Sequence, residues 1–138
     1  LVESMDAIAE AGINQMDAIQ YFHAADRIRD TVVGIAASMA LNREGATKDL
    51  PIIAFASAED GIKVSARTTR DLVARGLDLA AIMQEASRAV GGAGGGHHAA
   101  AGATIPPGTE QKFLEIANRM VRAQLGASRP SGDEQEIR

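Results

Sequence analysis

A glycine-rich segment, residues 91–103, limits the structures open to this chain more than any other part of its sequence. It reads GGAGGGHHAAAGA and holds six of the fourteen glycines and two of the three histidines. Each glycine costs conformational entropy on folding, and no packing need is evident that explains so many together. Glycine does let a backbone approach a ligand and turn its N–H groups toward an anion, and a neighbouring histidine adds a donor that carries charge near neutral pH. The segment therefore predicts an anion site, in the first place for phosphate.

The composition is that of one ordinary globular domain. Apolar residues make up 46% and charged residues 23% of the 138 residues, which is enough chain to bury a core. One Tyr, three Phe and no Trp argue against a base-stacking surface. A net charge of −4 argues against broad electrostatic binding of duplex DNA, so any contact with nucleic acid is expected to be local.

The cysteine content and the hydropathy of the sequence bear on where in the cell the protein is expected. The chain has no cysteine, which excludes disulfides and thiolate zinc sites and favours the reducing cytoplasm. No apolar run approaches the roughly 20 residues that cross a bilayer, so no membrane partner is expected.

The ends of the chain differ in character from its middle. It begins with Leu1 rather than Met, which predicts a fragment or a processed piece. Residues 1–16, weakly helical over 2–12, are interpreted as the end of an interdomain linker. Residues 17–125 are the predicted folded domain, and residues 126–138, with Gly, Ser, Pro and charge, are a predicted disordered tail.

Hydrophobic periodicity predicts an α/β fold with a mixed sheet of about four or five strands flanked by helices. The predicted order is strand, helix, hairpin, helix, glycine loop, strand, helix. Strands are predicted over residues 18–24, 50–56, 62–67 and 99–105, helices after the caps Asp30 and Asp78 and from near Thr109, and loops over 42–49 and 68–76.

Two of these segments carry specific predictions about faces. Residues 62–67 alternate between apolar and polar side chains, so Lys63, Ser65 and Arg67 share one face of the strand. For the helix after Asp30, helical spacing predicts one apolar face. That face consists of Val32, Ile35, Ala36, Met39 and Ala40.

Two familiar phosphate-binding devices do not fit the glycine-rich segment. Gly91 and Gly96 have the spacing of a P-loop, but two histidines stand where Lys and Ser or Thr are required. Residues 94–99 match a loose Gly-x-Gly-x-x-Ala pattern, yet the dinucleotide fingerprint needs a strand before the loop and a helix after it. Here a helix precedes the loop and a strand follows, so both assignments fail.

Residues 94–103, GGGHHAAAGA, closely resemble the signature of the DHH-associated domain, the substrate-binding domain of DHH-superfamily phosphoesterases. Residues 65–67, Ser-Ala-Arg, resemble the second signature of that family, a Ser-x-Arg strand, and residues 76–79 resemble its link into the intervening helix. The likeness runs from about Asp30 to Val121. Within the superfamily the chain is most similar to archaeal RecJ-like single-strand exonucleases, which residues 29–35, RDTVVGI, support.

The resemblance implies a role for each matched residue. His97 would contact the scissile or an adjacent phosphate, Arg67 would clamp a phosphate with its planar fork, and Ser65 would add a hydroxyl. The glycines would offer backbone N–H groups. The implied substrate-binding site consists of Ser65, Arg67, Gly94, Gly95, Gly96 and His97.

The resemblance also implies a catalytic centre elsewhere. The family's Asp-His-His triplet does not occur in the chain, and a two-metal site needs several Asp and His ligands close together. We therefore expect no catalytic residue and no metal here, manganese in an upstream DHH catalytic domain of the same protein, and no hydrolysis by this chain alone. The implied ligand is single-stranded nucleic acid, a short oligonucleotide or a nucleotide.

A second class of function stays open, a non-catalytic nucleic-acid-binding module. The same domain forms the end of alanyl-tRNA synthetases, and it also occurs in catalytically inactive relatives attached to replication complexes. Simpler interpretations also stand for single residues: Ser65 and Arg67 as ordinary strand residues, and His23 as a packed histidine. A metal site at His97 and His98 is disfavoured, because neighbours on a strand point to opposite faces.

Overall fold

The computed structural model describes residues 2–43 and 46–127, which build a six-stranded sheet between two layers of helices. The helices are α1 (Val2–Ala11), α2 (Val33–Leu41), α3 (Arg70–Ala74), α4 (Leu79–Ala89) and α5 (Glu110–Ala127). The strands are β1 (Asn14–Gln15), β2 (Gln20–His23), β3 (Ile52–Ala58), β4 (Gly61–Arg67), β5 (Ala93–Gly96) and β6 (Ala100–Ile105).

The sheet is mixed, as predicted, but it has six strands rather than four or five. Its order is β1-β2-β3-β4-β6-β5. Strands β2 and β3 are parallel, and the other neighbours are antiparallel. The two additional strands, β1 and β5, lie at the edges.

Each face of the sheet buries its own core. One core packs α3, α4 and α5 against side chains such as Phe55 and Val64. The other packs α1 and α2 against the alternate residues of β3, which include Ile52 and Ala54. Strand β3, in the segment where a strand was predicted, is therefore buried on both faces. No helix of the described residues has both the length and the hydropathy of a membrane span.

The face prediction for β4 and the cap prediction for α4 are confirmed. Ile62, Val64 and Ala66 lie in the core under α4 and α5, so the polar residues of β4 point to the α2 face. Asp78 caps α4, since its Oδ1 accepts the N–H of Ala80 at 3.1 Å.

The predictions for α2 are wrong in two respects. The helix begins at Val33 with no side-chain cap, so Asp30 does not cap it. Ile35 is 55% exposed rather than buried. Because α2 is apolar almost all round, its spacing fits more than one buried stripe, and packing selects the other. The buried residues are Val33, Ala36, Ala37, Ala40 and Leu41.

Other segments differ from the sequence predictions more locally. The predicted loop over 68–76 contains α3, whose cap Thr69 accepts the N–H of Leu72 at 3.3 Å. Helix α5 continues to Ala127, two residues into the predicted tail. The remainder of that tail, 128–138, and residues 44–45 of the predicted loop lie outside the described residues. The linker assignment for residues 1–16 stays a prediction.

The glycine-rich segment is not a loop at its centre, because residues 93–96 form the edge strand β5. We expected that packing would not explain the glycines of this segment, but close packing does require glycine at some of its positions. A Cβ on Gly94 would lie 2.7 Å from the Cβ of Ala103 and 2.8 Å from the carbonyl oxygen of Met83 on α4. Gly96 has a φ of +136°, which favours glycine. Gly95 is different, since a Cβ there would meet nothing within 4 Å.

His23 joins β2 to α5 and packs on Phe55 at a ring distance of 5.3 Å, as a packed histidine should. The backbone N–H of Ala25 donates to its Nδ1 at 3.0 Å. The Nε2 then carries the proton and donates to Glu110 at 3.0 Å. Burial alone would raise the pKa of Glu110, but hydrogen bonds from His23 and from the backbone N–H groups of Glu110 and Gly108 outweigh it and lower that pKa.

Replacing Gly94 with alanine should destabilise the fold, whereas the same change at Gly95 should not. The added methyl at Gly94 would overlap β6 and α4, and overpacking of this kind costs about 1–3 kcal/mol. Urea unfolding of both variants measures the difference. Equal free energies of unfolding would contradict the packing argument.

Replacing Glu110 with glutamine should flatten the acid side of the stability profile. A carboxyl whose pKa is lowered in the fold stabilises it above the ordinary value of 4.5, and that contribution is lost as the pH falls through the lower folded value. Unfolding free energies measured against pH test this, with the exposed Glu115→Gln as control. An unchanged slope in Glu110→Gln would refute it.

Candidate functional site

A cleft of about 330 Å³ opens on the sheet face that carries α2. Helix α2 packs on β3 and β4 and leaves the neighbouring β6 and β5 uncovered on this side. The start of α2 and the end of β4 form one wall of the cleft, and the small residues of β6 and β5 form its floor. The cleft is therefore a gap in one helical layer.

The floor is almost bare main chain. Ser65 on β4 pairs with Gly102 on β6, and Gly102 pairs with Gly95 on β5. Residues in register across a sheet share a face, so these three form one row on the cleft side. Two of the three have no side chain, and nothing stands above Gly95. A ligand can therefore approach the peptide groups of the sheet directly.

Arg67 supplies a positive charge, and no carboxylate of the described residues lies within salt-bridge distance of it. Its Nη1 donates to the carbonyl oxygens of Ala66 at 2.8 Å and Ala101 at 3.4 Å. Burial lowers the pKa of the guanidinium, which stays charged because its ordinary pKa is so high. A half-buried and unpaired guanidinium favours an anionic ligand.

Ser65 contributes a free hydroxyl. The residue is only 5% exposed, yet its side chain forms no hydrogen bond with any described residue and it lines the cleft. Its Oγ is not among the oxygens of the described residues that are both buried and unpaired, so solvent in the cleft reaches this hydroxyl. A ligand oxygen that enters the cleft could form a hydrogen bond with it.

The first turn of α2 adds to the positive potential. Its N-cap, Val32, makes no side-chain bond, so the first backbone N–H groups of the helix lack a side-chain acceptor. Thr31 and Gly34 of this region line the cleft. The N-terminal end of a helix carries a partial positive charge, which acts here together with the charge of Arg67.

Sequence reasoning missed seven of the eleven residues that line the cleft. Lys63 and Asp30 line it as well, and so does Gly34. The alternation of residues 62–67 places Lys63 on the same face as Arg67, and this pattern alone would have justified adding Lys63 to the predicted site. Nothing in the sequence shows that Gly34 meets Arg67, because the contact depends on how α2 crosses the sheet.

The structure brings four of the six predicted site residues together in one cleft. Ser65, Arg67, Gly95 and Gly96 line one cleft. Gly94 faces α4 on the opposite side of the sheet. His97 is exposed in the β5–β6 turn, directly after Gly96, and does not line the cleft.

The two neighbouring histidines do not point to opposite faces, because they stand in a turn rather than on a strand. Their ring centroids lie 4.1 Å apart. The N–H of His97 donates to Ala100 at 2.9 Å, which fixes the backbone of this turn. Within residues 2–43 and 46–127, no three His, Cys, Asp or Glu side chains converge on a point that could hold a metal. These residues do not fit a manganese centre.

Comparisons with known proteins identify one family. The DHHA1 domain family matches residues 17–123. An uncharacterized protein of Methanocaldococcus jannaschii is 34% identical over 113 residues, which cover 82% of this chain and 24% of that protein. The chain thus spans about a quarter of the length of this curated relative.

Solved structures of low sequence identity share the fold. The C-Ala domain of Aquifex aeolicus alanyl-tRNA synthetase matches with a TM-score of 0.58 at 16% identity, over 83% of this chain and 98% of that one. An exopolyphosphatase-related protein from Bacteroides fragilis matches with 0.62 at 12%, over 91% and 36%. The pGpG-specific phosphodiesterase PggH from Vibrio cholerae matches with 0.54 at 10%, over 88% and 38%.

Replacing Arg67 with methionine should leave the fold at least as stable as before. The change removes an unpaired, partly desolvated charge and keeps an unbranched side chain, so the free energy of unfolding should stay equal or rise by up to about 1 kcal/mol. Urea unfolding measures it.

A buried polar residue with a structural role is the matched comparison. Asn118 accepts the backbone N–H of Ala18 at 2.9 Å, so Asn118→Leu should cost about 1–3 kcal/mol. A loss of that size in Arg67→Met would mean that the arginine supports the fold rather than a ligand.

Proposed function

This chain belongs to the DHHA1 domain family, and from that premise we propose that it binds the phosphates of single-stranded nucleic acid or of a short oligonucleotide for a metal-dependent phosphoesterase. Domains of this family are typically accessory domains of DHH phosphoesterases. The catalytic step belongs to a DHH domain upstream in the same protein, and manganese is held there. RecJ-like single-strand exonuclease activity is the specific form proposed for the parent protein.

One observation carries the proposal: a guanidinium without an ion pair among the described residues, a hydroxyl without a hydrogen bond among them, and a bare glycine floor share one cleft. Arg67 supplies the charge, Ser65 the free hydroxyl, and Gly95 the open approach to main chain. All three are suited to phosphate oxygens and none to an apolar ligand. Lys63 adds a second cation to the cleft and Asp30 adds one carboxylate, so the cations outnumber the anions there.

The chemistry of the cleft favours phosphates over bases. The described cleft holds no aromatic side chain on which a base would stack, so recognition falls on the backbone of the nucleic acid. Phosphate contacts carry no sequence information. The proposed binding is accordingly independent of sequence and limited to a short stretch of the strand.

His97 keeps a proposed role at the mouth of the cleft. It directly follows Gly96, which lines the cleft, and its imidazole is exposed. We assign it a contact with the scissile or adjacent phosphate that forms when the upstream domain and the substrate are in place. The phosphate that His97 would contact belongs to the substrate and not to this chain.

The direct test is binding of a 5′-phosphorylated thymidine pentanucleotide to the 138-residue chain. Arg67→Gln should weaken it roughly tenfold to a hundredfold, because a hydrogen bond to a charged group contributes about 1.5–3 kcal/mol. Arg119→Gln, an exposed arginine on α5, is the control of equal charge and should leave affinity nearly unchanged. Fluorescence anisotropy at fixed salt measures all three. Equal losses of affinity in both variants would mean that binding depends only on net charge, and this result would overturn the proposed site.

A second candidate is a non-catalytic module that grips tRNA. Its support is the fold shared with the C-Ala domain, of which this chain covers 98%. Assay of the parent protein with manganese and single-stranded oligonucleotides separates the two. Cleavage that falls in Arg67→Gln and His97→Ala supports the phosphoesterase, whereas tight tRNA binding without cleavage supports the module. Turnover by this chain alone would contradict both.

A further inference from the structure

We propose that Gly34 is a positioning residue for Arg67: the side chain that Gly34 lacks is the space in which the Arg67 guanidinium sits. The inference rests on the proposed function, since it takes Arg67 as the group that holds the ligand phosphate. It adds a residue on a different element, α2, to the determinants of that binding.

The local backbone does not explain a glycine at this position. Gly34 lies in the first turn of α2 and is absent from the glycines with a positive φ. Glycine is among the poorest helix formers, so an alanine here would suit the helix better. Some other constraint must account for the glycine.

The constraint is the guanidinium. A Cβ built on Gly34 would overlap Nη2 of Arg67, and it would lie 3.4 Å from Cζ of the same residue and 3.5 Å from Oγ of Ser65. All three nearest atoms belong to side chains, and none to backbone. A Cβ at position 34 would therefore displace the end of the Arg67 side chain, and it would not clash with the backbone of the strands that α2 crosses.

The glycine and the sheet together hold the arginine from two sides. Nη1 is tied to the carbonyl oxygens of Ala66 and Ala101, while Nη2 lies against Gly34 at the wall of the cleft. An arginine side chain fixed in this way loses less freedom when it binds an anion, which raises affinity. An alanine at position 34 would push Nη2 away from the wall and release this arrangement.

A second helical glycine offers the matched control. Gly126 lies near the end of α5, and a Cβ there would meet nothing within 4 Å. Gly126→Ala and Gly34→Ala both improve helix propensity, but only the second change reaches Arg67. The two variants should behave alike in stability and differ in binding.

The experiment measures thermal unfolding and binding of the 5′-phosphorylated thymidine pentanucleotide. Gly34→Ala should keep or raise Tm and weaken binding at least tenfold, whereas Gly126→Ala should keep or raise Tm and bind as the parent chain does. In the Arg67→Gln background, Gly34→Ala should cause no further loss, because its effect passes through Arg67. Parent-like binding by Gly34→Ala overturns the inference, and so does a full further loss in that background.

A measurement without ligand keeps this inference separate from the proposed function. The Nε–Hε NMR signal of Arg67, identified by its disappearance in Arg67→Lys, should shift in Gly34→Ala and stay in place in Gly126→Ala. If the parent chain does not bind the oligonucleotide, the proposed function falls, and this signal still decides whether Gly34 positions Arg67. Unfolding of Gly34→Ala would overturn the inference, since the glycine would then serve the fold.

Discussion

Helix α2 covers only part of its sheet face, and every feature of the cleft depends on that partial cover. Its buried stripe is mostly alanine, including Ala36, Ala37 and Ala40, so the helix lies close to β3 and β4. Strands β6 and β5 stay open beside it. Polar residues of β4 then emerge at the edge of the helix, where Arg67 is desolvated enough to stay ordered and open enough to meet a ligand.

The glycines of the edge strand serve two opposite sides of the sheet. Gly94 lets β5 lie against α4, where a methyl group has no room. Gly95, one residue later, faces the cleft and has free space above it. Strand alternation is what separates the two roles. The same short run thus secures the fold on one face and keeps the floor open on the other.

The parts of the fold that the sequence predicted are those set by local patterns. The alternation of β4 and the cap at Asp78 are examples, and both are confirmed. Strand β5 was missed because glycine has no strand preference of its own, and pairing with β6 makes the strand. The buried face of α2 was wrong because Ile35 and its neighbours offer two apolar stripes. For the cleft, alternation predicted only that Ser65 and Arg67 share a face, and the family resemblance supplied their expected role. The contact between Gly34 and Arg67 depends on how α2 crosses the sheet, which no local pattern encodes.

The row Ser65–Gly102–Gly95 has a consequence for how this surface can change. Two of its positions already carry the smallest possible residue, so mutation there can add atoms and never remove them. At the two glycines, variation can therefore only narrow the cleft, and only Ser65 has a side chain in this row that a smaller residue could shorten. More room above the two glycines would have to come from the position of α2 or from other lining residues, because the glycines themselves have no side chain to lose.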